Sequence, residues 1–313
     1  MSVKVFIDGS AGTTGLRIAD RLAARPEIEL LSISEEGRKD VNERAKVINS
    51  ADLAFLCLPD AASREVMPLL RPDVKVLDTS TAFRTDPNWV YGFPELRGQK
   101  EKIKNACRVA VPGCYASGFI SIMRPLVELG LAGAGDFYSC TGISGYSGGG
   151  KKMIAQYEQE DRDKELDAPR EYALTQKHKH LKEMKKITGL SREPLFSPIV
   201  ADYYSGMVVS LPLYTEFLQQ ERTPEKLRDF FAEFYAGEKF ITVMPFGAET
   251  EISGMLSGNG CSGYDGLRIY VTGNEERLIL NAQFDNLGKG ASGAAIQCLN
   301  IMMGCEEDKG LNL

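Results

Sequence analysis

The sequence lacks the features that mark membrane proteins and nucleic-acid-binding proteins. No apolar run approaches the roughly 18 residues that a membrane-spanning helix needs. Acidic residues outnumber basic ones, 43 to 37, and the resulting net charge of −6 argues against a nucleic-acid partner. The first residues, MSVKVFIDGS, lead directly into an apolar strand and are not typical of a signal peptide. We therefore expect a cytoplasmic protein with neither a nucleic-acid nor a membrane partner.

Cysteine and histidine are both sparse. The seven cysteines include no CxxC pair, which argues against a zinc ribbon or a dithiol redox motif, and their odd number fits reduced thiols. The chain has only two histidines, His178 and His180, and no further ligand completes a metal site with them, so we expect no metal.

The length of 313 residues predicts two domains at roughly 150 residues each. Up to residue 113, short apolar strands alternate with helical patterns, which predicts an α/β domain of Rossmann type with a parallel sheet. The predicted strands there are 3–8, 29–34, 52–59, 75–80 and 108–113, and the predicted helices include 14–25 and 40–48, the latter capped by Asp40.

Beyond residue 114 the pattern changes. Consecutive strands with turn-length gaps predict an α+β domain, in which helices cover one face of a largely antiparallel sheet. One helix is predicted to begin with Thr223 as its cap and Pro224 at its first position. The last helix, 290–304, is rich in small residues that allow close packing, and we expect it to return to the first domain.

The segment GSAGTTG follows the first predicted strand and opens the first predicted helix. Its three glycines suit the tight turn, the approach of a pyrophosphate and the helix–sheet packing of a dinucleotide-binding loop. An ordinary strand–helix turn is the alternative, but the position in the first βα unit favours a cofactor. The predicted cofactor contacts in this loop are Gly9, Ser10, Gly12, Thr13, Thr14 and Gly15.

The end of the second predicted strand bears on the choice between NAD and NADP. Glu35 and Glu36 would suit the ribose hydroxyls of NAD, whereas Ser34, Arg38 and Lys39 would suit the 2′-phosphate of NADP. We favour NADP(H) as the cofactor, with a solvated turn as the alternative interpretation of the two cations.

The segment VPGCYASG places Cys114 between a strand and the first turn of a helix. The positive end of the helix dipole lowers the pKa of a thiol at that position and enriches the thiolate. The alternative is a small buried residue in a tight corner, which is our interpretation of Cys57, Cys140 and Cys298. We predict that Cys114 is a nucleophile.

A cysteine nucleophile generally works with an acid–base partner. If residues 175–190 form one helix, His180 shares the inward face with Met184 and Ile187, and His178 points to solvent on the opposite face. The two imidazoles would then diverge, which disfavours a metal pair. We expect His180 to be the partner of the thiol.

Taken together, several segments resemble the N-acetyl-γ-glutamyl-phosphate reductases, of the aspartate-semialdehyde dehydrogenase superfamily. The strongest is VAVPGCYASGFISIMRP, and the others are GSAGTTG, DTSTAFR, YGFPEL, GISGYSGGGK, KHLKEM and DNLGKGASGAAIQ. The length suits the shorter type of this enzyme, and one departure is Lys182 where the family pattern has proline. The resemblance implies a fold like that of semialdehyde and glyceraldehyde-phosphate dehydrogenases. Residues 1–113 and 287–313 would form the NADP-binding domain and 114–286 the catalytic and oligomerisation domain, with the site in the cleft between them.

The resemblance also implies a reaction, the NADPH-dependent reductive dephosphorylation of N-acetyl-glutamyl 5-phosphate to N-acetyl-glutamate 5-semialdehyde in arginine biosynthesis. Cys114 would displace phosphate to form a thioester, hydride transfer would reduce it, and His180 would act as general acid–base. The implied substrate contacts are Arg84, Ser144 and Gly145, and the implied further cofactor contacts are Pro59 and Asn286. We expect a homo-oligomer, either a dimer or a tetramer.

Two alternatives stay open. A reductase of aspartyl phosphate or of acetyl-aminoadipyl phosphate would use the same chemistry, but aspartyl enzymes are expected to carry Asn before the cysteine, where this chain has Gly113. A non-catalytic dinucleotide sensor needs no reactive thiol and would make Cys114 dispensable.

Overall fold

The polypeptide leaves one structural unit after Gly113 and re-enters it after Gly290. The structure, a computed structural model, describes residues 2–220 and 223–313. Unit 1 comprises Met1–Gly113 and Ala291–Leu311, and unit 2 comprises Cys114–Gly290 and Asn312–Leu313. The roles expected for the two parts, cofactor binding and catalysis, stay predictions.

Unit 1 begins with alternating strands and helices. Its strands are β1 (Val3–Asp8), β2 (Ile28–Leu31), β3 (Leu53–Leu56), β4 (Lys75–Asp78), β5 (Val90–Tyr91) and β6 (Arg108–Ala110). Its helices before Gly113 are α1 (Thr13–Ala23), α2 (Val41–Ser50), α3 (Asp60–Val66) and α4 (Gln99–Lys104). Within the described residues, the six strands form one sheet in the order β2-β1-β3-β4-β6-β5, and every pairing is parallel. The predicted parallel sheet is confirmed.

Most of the predicted strands of unit 1 end earlier than expected. Only β1 has the predicted bounds, while the segments after β3, β4 and β6 leave the sheet. Those residues form loops at the carboxyl edge, where parallel sheets bind their ligands. The predicted cap of α2 is confirmed, because the side chain of Asp40 accepts a hydrogen bond from the Asn42 N–H at 2.8 Å.

Unit 2 contains a mixed sheet with helices. Its helices are α5 (Cys114–Glu128), α6 (Gly150–Glu158), α7 (Leu181–Thr188) and α8 (Pro224–Phe234). Its strands are β7 (Ser139–Gly145), β8 (Arg170–Glu171), β9 (Leu195–Ala201), β10 (Met207–Tyr214), β11 (Ile241–Val243), β12 (Leu267–Gly273) and β13 (Arg277–Phe284). Over the described ranges the strand order is β11-β12-β13-β10-β7-β9-β8. The β11–β12 and β7–β9 pairs are parallel and the other four pairs are antiparallel, so the sheet is largely antiparallel as predicted.

Helix α5 lies at the centre of unit 2. It packs on β10 and β13, while α8 packs on β11 and β12. Eleven of its 15 residues are buried, and its apolar side chains contribute to the core of this unit. The last helix, α9 (Gly293–Met303), belongs to unit 1, where Ala295, Ile296 and Leu299 join the core beside β1, β3 and β4.

None of the helices in residues 2–220 and 223–313 is long and apolar enough to cross a membrane.

Gly118 allows α5 to pack closely on its sheet. A Cβ atom at Gly118 would lie 2.6 Å from Val209 Cγ2 and 2.9 Å from Phe284 Cε1. We expect Gly118→Ala to lower the free energy of unfolding by about 1–3 kcal/mol, because a methyl group overpacks this contact. Thermal unfolding followed by circular dichroism measures the loss.

A matched glycine tests whether the contact, rather than the substitution, causes that effect. Apart from its two neighbours in the chain, Gly135 has no heavy atom of the described residues within 4 Å of a built Cβ. Gly135→Ala should leave the melting temperature close to that of the wild type, since nothing there is overpacked. Equal melting temperatures for the two variants would contradict the close packing of α5.

Candidate active site

The loop between β1 and α1 has the backbone geometry of a phosphate-binding turn. Gly9 has a φ of +88°, and a Cβ atom there would lie 2.4 Å from the carbonyl oxygen of Cys57. A Cβ atom at Gly15 would lie 2.4 Å from the carbonyl oxygen of Gly9. Gly12 caps α1, and its N–H donates to the Gly9 carbonyl at 3.0 Å. Larger residues at positions 9 and 15 would disrupt this turn.

The start of α1 offers hydrogen-bond donors to a ligand. Thr13 is the first residue of the helix, and its buried Oγ1 makes no hydrogen bond to any of the described residues. Thr14 follows it in the same turn, where the backbone N–H groups also lack intrahelical acceptors. Such a helix N-terminus favours an anion, so the residues present fit the phosphates of a dinucleotide.

A cavity of about 220 Å³ opens at the carboxyl ends of β1 and β2. Its wall includes Gly9, Ser10, Leu31, Ile33, Arg38 and Leu58. The structure therefore brings three of the predicted cofactor residues, Gly9, Ser10 and Arg38, to one apolar cavity. The apolar residues of this wall were not predicted. They come from strand ends and the loops that follow, where the sequence has no periodic pattern of apolar residues.

The remaining predicted residues of this region lie outside that wall. The Oγ of Ser34 accepts a hydrogen bond from the Gly37 N–H at 3.1 Å, which shapes the turn that carries Arg38. Lys39 is exposed on the same turn, and Pro59 is the cap of α3. Their contacts with a cofactor stay predictions.

A buried ion pair beside the loop was not predicted. Asp8 ends β1 with 4% of its surface exposed, and its Oδ2 lies 2.9 Å from Arg44 Nε. Burial raises the pKa of Asp8, and this effect exceeds the opposing effect of the Arg44 hydrogen bond. Arg44 also donates to the Ala62 carbonyl at 3.3 Å, so it ties α2 to the end of β1 and to α3.

The DTSTAFR segment folds into a hydrogen-bonded turn after β4. Arg84 is buried, with its Nε donating to the Val111 carbonyl and its Nη2 to the Thr79 carbonyl, both at 2.9 Å. Ser80 Oγ donates to Asp78 Oδ2 at 2.6 Å, and burial raises the pKa of Asp78 to about 6. Two donors of Arg84 thus hold the main chain, and one of them fixes the start of the VPGC segment. Its contact with a substrate stays a prediction.

Cys114 is half-buried and is the first residue of α5. The next residue, Tyr115, anchors the first turn of the helix, because its hydroxyl donates to the Ile199 carbonyl of β9 at 3.1 Å. Gly290 approaches the same turn, and a Cβ atom built on it would lie 2.9 Å from Cys114 Cβ. The predicted strand–turn–helix context is confirmed, while the reactivity of the thiol stays a prediction.

The predicted helix over 175–190 is wrong in its first half. Helix α7 begins only at Leu181, and a loop with turns precedes it. The two imidazoles do not diverge, since their ring centroids lie 4.7 Å apart with planes at 78°. His178, which we expected in solvent, is half-buried, and its ring lies 5.1 Å from that of Phe196. The helix prediction is wrong here because the side chain of Gln176 bonds to the backbone of Phe196 on β9, which holds this segment as a loop.

His180 is 4% exposed and lies next to the helix that Cys114 begins. Its ring centroid is 6.1 Å from that of Tyr115, and its carbonyl accepts the N–H of Met184 at 2.9 Å in α7. Burial raises the pKa of Tyr115 well above its ordinary value, so this neighbour is a neutral phenol. The structure thus brings His180 against the first turn of α5.

Ser144 and Gly145 end β7 at a loop that Asn286 holds in place. The Nδ2 of Asn286 donates to Ser147 Oγ at 3.0 Å, and its Oδ1 accepts the Gly206 N–H at 2.8 Å. Ser144 is buried, and a Cβ atom on Gly145 would lie 2.6 Å from the carbonyl oxygens of residues 203 and 204. Asn286 therefore joins two loops of unit 2, and its contact with a cofactor stays a prediction.

Other cysteines of unit 2 occupy environments that disfavour the thiolate. Cys140 and Cys261 are buried, and burial raises the pKa of both thiols. Neither stands at the start of a helix. These environments agree with a structural role for both residues.

Two family models match the chain. Residues 4–106 match the semialdehyde dehydrogenase NAD binding domain, and residues 114–286 match the semialdehyde dehydrogenase dimerisation domain. These matches agree with the parallel sheet of unit 1 and the mixed sheet of unit 2.

The names of similar proteins agree with the family models. An N-acetyl-gamma-glutamyl-phosphate reductase 2 from Nostoc sp. is 46% identical, with 98% of this chain and 99% of the relative covered. An N-acetyl-gamma-glutamyl-phosphate reductase from Rhizobium meliloti is 42% identical, with 97% and 99% covered. The fold matches the crystal structure of aspartate semialdehyde dehydrogenase with NADP from Candida albicans, with a TM-score of 0.64 at 15% identity, covering 97% of this chain and 99% of that one. The chain therefore belongs to the semialdehyde dehydrogenase family and, within it, to the N-acetyl-gamma-glutamyl-phosphate reductases.

Proposed function

We propose that this protein reduces N-acetyl-glutamyl 5-phosphate to N-acetyl-glutamate 5-semialdehyde and phosphate, with NADPH as reductant, in arginine biosynthesis. The observation that carries the proposal is the position of Cys114 at the start of the buried helix α5, with His180 packed beside that first turn. The names of relatives that are 42% and 46% identical over almost the whole chain support the substrate.

The first step is acyl transfer to Cys114. Its thiolate attacks the acyl carbon, the bond between that carbon and the phosphate oxygen breaks, and phosphate leaves with the electron pair. The N–H groups at the start of α5 favour both the thiolate and the oxyanion that develops on the acyl oxygen. The product of this step is a thioester on Cys114.

The second step reduces the thioester to the aldehyde. NADPH, when bound, supplies the hydride that the thioester carbon receives. His180 donates a proton to the resulting oxyanion and takes it back as the carbon–sulfur bond breaks, which regenerates the thiolate of Cys114 and releases the aldehyde. An imidazole suits this role because it carries both a proton donor and a proton acceptor.

The remaining assignments concern the substrate and the location of the protein. We assign Arg84, Ser144 and Gly145 to the substrate, since a buried guanidinium and a glycine-rich loop suit carboxylate and phosphate groups. We assign the protein to the cytoplasm, where surface thiols such as Cys107 stay reduced.

The reaction requires the thiol of Cys114. Cys114→Ala should lower kcat by at least about 10³-fold, because the thioester cannot form. The assay runs in reverse, with NADP, phosphate and one of three aldehydes: N-acetyl-glutamate semialdehyde, aspartate semialdehyde or N-acetyl-aminoadipate semialdehyde. We expect N-acetyl-glutamate semialdehyde to give the highest kcat/KM.

The exposed Cys107 provides the matched control. Cys107→Ser should keep wild-type kinetics, and limited alkylation at neutral pH should inactivate the wild type and the Cys107→Ser variant alike. A preference for another aldehyde would reassign the substrate, and an active Cys114→Ala variant would favour a dinucleotide sensor.

NADP specificity is expected to depend on Arg38, which lines the cavity of unit 1. A guanidinium that binds the 2′-phosphate contributes a charge-assisted hydrogen bond. Arg38→Ala should therefore raise KM for NADP roughly 10- to 100-fold and leave KM for NAD nearly unchanged. Steady-state kinetics with the two cofactors measure this difference, and Lys39→Ala should show a smaller effect.

Arg71 offers a control cation in the same unit, on the surface and outside the cavity wall. Arg71→Ala should leave both KM values unchanged. If Arg38→Ala changed KM for NAD and NADP equally, recognition of the 2′-phosphate by Arg38 would be refuted.

We further propose that the protein is a homodimer that pairs through one face of the unit 2 sheet. The family model for this region is named a dimerisation domain. Exposed apolar residues alternate with buried ones along several of its strands, so they share the face opposite α5. They are Ile143, Leu195, Pro212, Tyr214 and Ile279.

A charge on this face should separate the subunits. Ile279→Glu is expected to convert the dimer to a monomer, because an isologous interface repeats the buried charge in both copies. Analytical ultracentrifugation measures the change. Leu69→Glu, at an exposed leucine of unit 1, should remain dimeric. A wild-type protein that sediments as a monomer would refute the proposal.

A further inference from the structure

The loop that carries both histidines is held by the strand beside it. The side-chain amide of Gln176 pairs with the backbone of Phe196 on β9: Nε2 donates to the carbonyl at 2.9 Å, and Oε1 accepts the N–H at 3.0 Å. The N–H of Tyr172 donates to the Pro198 carbonyl of the same strand at 3.0 Å. These bonds dock residues 172–176 of the loop on β9.

Two residues of the loop adopt left-handed backbone conformations that are unfavourable for their type. Ala173 has a φ of 52° and Gln176 a φ of 56°, and neither is a glycine. Such conformations persist when surrounding contacts determine them, and they concentrate at functional sites. The contacts around this loop therefore hold Ala173 and Gln176 in conformations that they rarely adopt, which fixes the path of the chain into the two histidines.

The imidazole of His178, in this loop, is in contact with four other rings. Its imidazole meets the rings of Tyr115, Phe196 and His180 edge-on, at centroid distances of 5.9, 5.1 and 4.7 Å. It also meets the ring of Tyr172 at 5.7 Å. Its Nδ1 accepts a hydrogen bond from the backbone N–H of His180 at 3.2 Å. His178 thus contacts both the backbone and the ring of His180.

We propose that His178 is a positioning residue that holds His180 in the orientation required for proton transfer. This inference rests on the proposed function, in which His180 is the general acid–base. The hydrogen bond fixes the backbone of His180 at the entry to α7, and the edge-on contact restricts the rotation of its ring. His178 itself transfers no proton.

The electrostatic surroundings keep His178 in the form that this role needs. Burial, assisted by the charge of Lys179, lowers the pKa of His178 to about 4. The other titratable groups that face it are Tyr115, Tyr172 and His180. A neutral imidazole has one acceptor and one donor nitrogen, so a bond accepted at Nδ1 places the proton on Nε2. A charged imidazole could not accept this bond.

Two substitutions separate the contribution of the His178 ring from the contribution of its acceptor atom, Nδ1. His178→Phe keeps an aromatic ring between its neighbours but removes the acceptor, whereas His178→Asn removes the ring but retains an acceptor close to the position of Nδ1. We expect His178→Phe to lower kcat roughly 10- to 100-fold with little change in KM. His178→Asn should recover a large part of that loss. Lys177→Ala, at an exposed residue of the same loop, should keep wild-type kinetics.

A spectroscopic test is read on the wild-type protein, and a variant serves only to assign the signals. The chain has only two histidines, so ¹H–¹⁵N spectra of the imidazoles contain two sets of signals. His178→Asn assigns them. In the wild type we expect His178 as the Nε2–H tautomer at neutral pH, with a titration midpoint near a pKa of about 4. The Nδ1–H tautomer, or a midpoint near the ordinary value of about 6.5, would overturn the inference.

A His180→Asn variant distinguishes failure of this inference from failure of the proposed function. If His180→Asn is inactive and His178→Phe has wild-type kinetics, only the positioning role of His178 is wrong. If His180→Asn keeps full activity, the acid–base assignment fails and the inference fails with it. Loss of kcat in both variants, with rescue by His178→Asn, supports both.

Discussion

Burial of α5 in unit 2 is the constraint on which the proposed catalytic geometry depends. Eleven of its 15 residues are buried, and the Tyr235 hydroxyl donates to the Ser121 carbonyl at 2.6 Å within this packing. A helix packed this closely cannot slide or rotate without losing many contacts at once. Its first residue, Cys114, therefore occupies a fixed position at the positive end of the helix dipole. The same packing that stabilises unit 2 thus determines where the thiol stands.

The elements that the sequence predicts well carry their signals locally. Asp40 and Thr223 cap α2 and α8 as expected, since a capping side chain bonds to backbone groups only two or three residues away. The failure over 175–190 has the opposite cause. The spacing of His180, Met184 and Ile187 fits a helical face, but the Gln176 amide bonds to Phe196, twenty residues further along the chain. No local pattern contains that bond.

The candidate site shows a similar limit. Motif and position together indicated Gly9, Arg38 and Cys114, and the structure places the first two at one cavity and the third at a helix start. A sequence gives the type of a side chain but not which of its atoms are already engaged. Arg84 uses two of its donors on main-chain carbonyls, and Asn286 uses both ends of its amide on neighbouring loops. Those hydrogen bonds can be identified only from the structure.

The return of α9 to unit 1 has a consequence for the order of synthesis. Nine of its 11 residues are buried, and six of them complete a core that begins with β1. A ribosome therefore finishes residues 114–290, nearly all of unit 2, before it releases the helix that unit 1 still lacks. During translation, unit 1 exposes the apolar surface that α9 later covers, although its strands are made first. The part of the protein that starts the chain is the last to complete its core.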